Sequence, residues 1–351
     1  LTHRDIEQEH QMLQQVIAIT GASAGVGRAA AVAFGRRGAA VALIARSLSG
    51  LESAAEEVRA AGGRALPLVA DVSDPSALAA AASEAERALG PIDVWVNAAM
   101  VTIFGEVEQM TPEEVRRVTE VTYLGTVNGT MAALHRMQER GHGTIVQVGS
   151  ALAYRSIPLQ SAYCGAKAAV RGFTDSLRCE LIHQGSAVRL TMVQLPAVNT
   201  PQFEWARAYL PHHPQPVPPI FEPEVAADAI LWAAEHPARE YVVGASSAMA
   251  ILGQKVAPGL LDRYLASTAY AGQQTAEPIS LDRADNLFHP VEGLHATRGR
   301  FTRESRGHSL QFEAVKHAGT IGLAALALLA GATLAATATM RKDPPRTGAA
   351  A

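Results

Sequence analysis

Cysteine is nearly absent: the 351 residues hold two, Cys164 and Cys179. Two cysteines cannot build a disulfide framework, and without a CxxC pair they do not read as a zinc site. Histidine is more frequent, but the twelve histidines form no HExxH arrangement, and His212-His213 sit among prolines, so no metal is expected. An excess of either charge is also missing. Thirty basic and 33 acidic side chains leave a formal charge of −3, which offers no basic footprint for DNA or RNA. No nucleic-acid partner is expected. A composition 48% hydrophobic and 18% charged excludes a disordered chain. Residues 1–15 are polar and charged and do not read as a signal peptide. A reducing, cytosol-facing catalytic domain is the expectation.

What the sequence does have is alternation. Residues 16–20, 41–45, 65–69, 94–97, 144–148, 188–195 and 241–243 are mostly apolar throughout, as strands covered on both faces are. Helices are expected over 49–61, 75–89, 112–140, 161–183 and 223–235. Pro75, Pro112 and Pro223 suit first helical turns, and Asp74 and Thr111 suit N-caps. Strands and helices in this order predict an α/β fold, a Rossmann-type doubly wound parallel sheet of about seven strands.

Two stretches break the rhythm. Residues 196–223 are crowded with proline and are expected to form a substrate flap. Beyond Tyr270 the periodicity fades until about Lys316, which reads as a linker. Residues 318–340 then carry no charge. As a helix they would run about 34 Å, long enough for a bilayer core of about 30 Å, with Arg341 and Lys342 as interfacial anchors. The expected organisation is a polar leader at 1–13, a dinucleotide-binding catalytic domain at 14–270, a linker at 271–317, a transmembrane helix at 318–340 and a basic tail at 341–351.

The first strand runs into Thr20-Gly21-Ala22-Ser23-Ala24-Gly25-Val26-Gly27 and then an alanine-rich helix. Glycines between a strand and a helix let backbone N–H groups approach a pyrophosphate at the positive end of the helix. Gly21, Gly25, Val26 and Gly27 are therefore candidate cofactor contacts, and Ser23 is a candidate hydroxyl for a 2′-phosphate. An acidic residue after the second strand selects NAD, and an arginine there accommodates a 2′-phosphate. This strand is followed by Arg46, so NADP(H) is expected over NAD(H). Asp71-Val72, after the third strand, lies where a carboxylate faces adenine; the other reading of Asp71 is a cap for the helix near Pro75.

Ser150 closes the fifth strand, and Tyr163-Cys-Gly-Ala-Lys167 begins thirteen residues later. With the TGxxxGxG turn, this set resembles the classical short-chain dehydrogenase/reductases over roughly residues 16–243. Tyr163 and Lys167, at i and i+4, share one helix face. A lysine ammonium beside a phenol stabilises the phenolate and lowers its pKa. Tyr163 can then exchange a proton with a carbonyl oxygen that Ser150 also holds. The resemblance implies that Lys167 also binds the nicotinamide ribose, that Thr200 meets the carboxamide, and that the chain forms a homo-oligomer. The family's NNAG appears as Asn97-Ala98-Ala99-Met100, with Asn97 left to brace the sheet and expected among the cofactor-site residues. Its VNxxG appears as Val121-Thr122-Tyr123-Leu124-Gly125. Thr122 replaces the asparagine that distorts the helix and helps hold a relay water; its hydroxyl is expected to bond a carbonyl one turn back. Cys164 is expected to be a small packed residue.

The expected function is a membrane-anchored NADP(H)-dependent oxidoreductase, its catalytic domain in the cytoplasm, acting on a small-molecule carbonyl or alcohol. The tether suggests a lipophilic substrate. A non-catalytic dinucleotide sensor or scaffold is the alternative.

Overall fold

The computed structural model describes residues 15–280 and 282–318. Seven parallel strands form the central sheet: β1 (Val16–Thr20), β2 (Ala40–Ala45), β3 (Arg64–Val69), β4 (Val94–Asn97), β5 (Gly143–Ser150), β6 (Val188–Leu195) and β7 (Glu240–Val242), in the order β7-β6-β5-β4-β1-β2-β3. Strand direction is common to all pairs, and the order reverses between β1 and β4. That reversal opens a crevice beyond the carboxyl ends of β1 and β4. Helices α1 (Gly25–Arg36), α2 (Leu48–Ala60) and α7 (Pro223–Glu235) cover one face. Helices α3 (Pro75–Leu89), α5 (Gly125–Arg140) and α6 (Ser161–His183) cover the other. β1, β2 and β4 are buried along their full length, which accounts for their unbroken apolar runs.

Local chemistry sets the helix starts. Asp74 caps α3 by accepting the Ser76 and Ala77 amides at 2.8 and 3.1 Å, and Pro75 fills the first turn. Thr111 and Glu114 form a capping box at the start of α4 (Pro112–Val118). The helix expected over 112–140 is not continuous. A π-turn over Thr119–Leu124 separates α4 from α5.

The main departure from the sequence reading lies after β7. Two helices, α8 (Ala245–Val256) and α9 (Pro258–Gly272), follow it. Residues 271–309 are not a linker. Gln274–Pro278 pairs antiparallel with His212–Pro214, and Ser305–Arg306 extends a small sheet with Ile220–Phe221 and Ala197–Val198. Between them Leu287 is fully buried in the main core. The proline-rich residues 196–223 are thus the partners of a folded C-terminal segment. A second unit begins at Leu310 with a short helix, Leu310–Lys316. The stretch proposed to span a membrane lies, apart from Ala318, outside the described residues. Among the described residues no helix is long and apolar enough to cross a membrane.

Candidate active site

The carboxyl ends of β1, β4, β5 and β6 open into one cavity of about 870 Å³. The turn after β1 is shaped for glycine. Gly21 and Gly25 have φ of 72° and 55°. A Cβ on Gly21 would lie 2.8 Å from Ala99 Cα, and one on Gly27 would collide with the Gly21 carbonyl. A side chain at Gly21 or Gly27 would force this tightly packed backbone apart. Thr20 closes the other side, its hydroxyl accepting the Ala98 and Ala99 amides at 3.1 and 3.3 Å. Ala98, which replaces the family's second asparagine, and Ala99 therefore still pack on the turn through their backbone.

Ser150, Tyr163 and Lys167 line the same cavity. Ser150 ends β5, its hydroxyl accepting the Leu152 amide at 3.1 Å and hydrogen-bonded to the Tyr163 phenol. Lys167, one turn along α6, donates to the Val148 carbonyl at 2.7 Å, and its ammonium lies 5.7 Å from the Tyr163 ring centroid. Burial pulls the Lys167 amine down to about 8. Burial also pushes the Tyr163 phenol well above its ordinary value, against the downward pull of the Ser150 hydrogen bond, while Cys164 adds to the rise. The sequence reading had lysine lowering this phenol; in the folded chain burial is the largest influence on it, and it acts upward.

A family model described as short chain dehydrogenase matches residues 15–208. The chain belongs to the short-chain dehydrogenase family. It is 34% identical over 311 residues to the uncharacterized oxidoreductase YxnA of Bacillus subtilis (strain 168), covering 87% of this chain and 86% of that one. An alcohol dehydrogenase from the archaeon Thermococcus sibiricus, complexed with 5-hydroxy-NADP, superposes with a TM-score of 0.57 at 28% identity, over 65% of this chain and 94% of that one. A short chain dehydrogenase from Mycobacterium paratuberculosis bound to NAD gives 0.56 at 26% identity, over 65% and 96%. The chain is an oxidoreductase of this family, which binds nicotinamide dinucleotides.

In this short-chain dehydrogenase the other expected site residues divide. Ser23, Val26 and Val72 line the cavity. So does Thr200, whose methyl packs over Gly25, 3.1 Å from where a Cβ would stand. Asn97 does not. It accepts from Trp95 Nε1 at 2.8 Å and donates to Gln147 and Thr130 at 2.9 and 3.1 Å, bracing β4, β5 and α5 beneath the cleft. Thr122 is fully buried behind the cleft wall. Its hydroxyl donates to the Val101 carbonyl at 2.9 Å and accepts the Val101 amide at 3.1 Å, rather than bonding one turn back. The π-turn is the reason: it aims the side chain at the loop after β4. Asp71 lines the cavity, but its carboxylate is taken by Ser73 and by Arg117. Burial would raise its pKa, yet these donors outweigh burial and hold it low. It does not cap α3; Asp74 does. Cys164 is buried, and burial pushes its thiol up, as for a packed residue.

Arg46 follows β2 as expected, but it is not free. Its guanidinium donates to the carbonyls of Asn286 at 2.5 Å, Phe288 at 3.1 Å and Leu287 at 3.4 Å. These acceptors are neutral, so they orient the group without cancelling its charge. The same strap reaches the glycine turn, where Gly25 donates its amide to Ala296 O at 2.9 Å. Sequence reasoning missed this wall of the site because residues 286–299 show no periodicity. It also missed α8 and α9, which bring Met249, Leu261, Tyr264 and Leu265 to the other end of the cavity. Arg155 fixes them there, donating to Gln254 at 2.6 Å and Asp262 at 2.7 Å.

Proposed function

We propose that this short-chain dehydrogenase interconverts a lipophilic carbonyl compound and its alcohol with NADP(H), Tyr163 acting as the acid and base. The observation that carries the reading is the convergence of Ser150, Tyr163 and Lys167 in a cavity that ends at the glycine turn. A nicotinamide dinucleotide, when bound, supplies or takes the hydride. Residues 21–27 would hold its pyrophosphate, Lys167 its nicotinamide ribose, Thr200 its carboxamide and Arg46 a 2′-phosphate. In reduction, the Tyr163 O–H bond breaks as the substrate oxygen gains the proton. The Ser150 hydroxyl donates to the same oxygen as its charge grows. The Lys167 ammonium then stabilises the phenolate left behind.

Two features support the finer parts. Arg46 keeps its charge at the end of β2, and neither β2 nor residues 46–51 carry a carboxylate, which supports NADP(H). The mouth between Val217 and α9 is apolar, and Met249, Leu252, Val256, Leu260 and Tyr264 continue it as exposed surface, which supports a lipophilic substrate. Residues 318–340 are proposed as a membrane anchor, the catalytic domain facing the cytoplasm, because that stretch is uncharged. The test is a series of ketones and aldehydes of increasing chain length, following NADPH absorbance. The expected result is turnover whose kcat/KM rises with apolar length. Tight NADPH binding without turnover on any carbonyl or alcohol would instead mark a dinucleotide sensor.

A further inference from the structure

Residues 286–299 carry charge as well as packing into the dinucleotide end of the cleft. Arg117 donates to the Leu287 carbonyl at 3.1 Å, and Arg28 to the His295 carbonyl at 3.2 Å. The His295 ring lies against the backbone of Gly50 and beside Trp205, with ring centroids 5.3 Å apart. Between these fixed points stands Glu292. Its two carboxylate oxygens each accept from Ser47 Oγ at 3.2 Å, and one also accepts from the Ser49 hydroxyl. Ser47 is the N-cap of α2, its own oxygen accepting the Gly50 amide at 3.2 Å. The carboxylate therefore sits at the positive end of α2, where an anion is stabilised, bonded to the residue that follows Arg46. The acidic group that β2 lacks is delivered from 245 residues away.

We infer that Glu292 is a specificity-determining residue of the dinucleotide site: it holds the anion position after β2 and competes there with a 2′-phosphate, setting the balance between NADP(H) and NAD(H). The inference rests on the reading of Arg46 as the 2′-phosphate cation. A ribose 2′-hydroxyl can donate to the Glu292 carboxylate, whereas a 2′-phosphate meets like charge and loses Ser47 and Ser49 as donors. The carbonyls of residues 286–288 hold Arg46 for either nucleotide. Preference for NADP(H) is then the attraction of Arg46 less the repulsion of Glu292. Glu292 is exposed, so its side chain can leave the serines without uncovering a core. The strap thereby tunes a choice that the sequence around β2 assigns to Arg46 alone.

The experiment titrates the full chain with NADPH and with NADH, reading nicotinamide fluorescence rather than turnover. Glu292→Gln keeps the size of the side chain and an acceptor for the serines while removing the charge. NADPH should bind about two- to fivefold more tightly, NADH should bind no more tightly than to the parent, and the gain should shrink in about 0.5 M salt. An equal change for both nucleotides, no change for NADPH, or a gain indifferent to salt would overturn the inference. Arg46→Ala separates it from the reading beneath. If that variant weakens both nucleotides alike while Glu292→Gln still acts on NADPH alone, Arg46 loses its role and Glu292 keeps its own.

Discussion

Lys167 shows most clearly how a functional residue is held against its own stability. Its ammonium is buried, bonded to the Val148 carbonyl, and its pKa is drawn from 10.5 to about 8. A buried amine with a depressed pKa costs stability while it is charged. The cost is complete below about 8 and falls away as the pH rises toward 10.5, where the unfolded chain holds the proton and the folded chain does not. The parent protein should therefore gain about 3 kcal/mol across that window, about 2 kcal/mol of it between pH 7 and 9.5. Lys167→Met should lack that rise and melt no lower than the parent at pH 7, while losing catalysis. Denaturant titrations at pH 7 and 9.5 check this. A parent whose stability is flat over that range would show that the amine is not desolvated as its burial implies.

At the scale of elements, the site depends on an irregular turn and an irregular strap. The hydroxyl of Thr122 satisfies both backbone groups of Val101, which is itself buried. Thr122→Val keeps the shape and leaves both groups unpaired, a cost of about 2–4 kcal/mol by denaturant titration. Thr122→Asn, which can donate and accept, should recover most of it. Equal losses for both variants would show that volume, not pairing, is what Thr122 supplies. Leu287 is fully buried, so Leu287→Ala should cost about 2–5 kcal/mol, where a linker leucine would cost nothing.

The same two features explain what the sequence could and could not reveal. The glycine turn, Ser150, Tyr163 and Lys167 were legible because each signal is local: a strand running into a turn, or two residues one helical turn apart. The seven strands were legible for the same reason. The π-turn was not, since it is stabilised by Val101, 21 residues away in the chain. The strap was least visible. Its order comes from carbonyls accepting from Arg46 and Arg117, 241 and 170 residues distant, and a stretch held by its backbone carries no side-chain period. Asp71 lines the cleft as expected, but sequence could not show that Arg117 already occupies its carboxylate, whereas the bracing role read for Asn97 is the one its bond to Gln147 shows.

On the scale of the whole molecule, the cavity has two differently built ends. Toward β2 it is polar, walled by the glycine turn, Arg46 and the strap; toward α8 and α9 it is apolar and continuous with exposed Met249 and Tyr264. Such a cavity suits a charged nucleotide at one end and an apolar substrate at the other. The anchor proposed for the uncharged residues 318–340 would, if it forms, bring the chain to a membrane, where apolar substrates partition. Full-length protein should stay with membranes through an alkaline carbonate wash, and a version ending at Lys316 should be released. Release of both would remove the anchor and weaken the case for a lipophilic substrate.

The central claim is that Tyr163 passes the proton in a hydride-transfer reaction. Its most direct test pairs turnover with cofactor affinity in Tyr163→Phe, which removes the hydroxyl and leaves the ring that packs beside Lys167. Turnover of an accepted carbonyl substrate should fall at least about a thousandfold, while the NADPH dissociation constant stays within about twofold, because the phenol acts on substrate and not on the nucleotide. Turnover within tenfold of the parent would contradict the account.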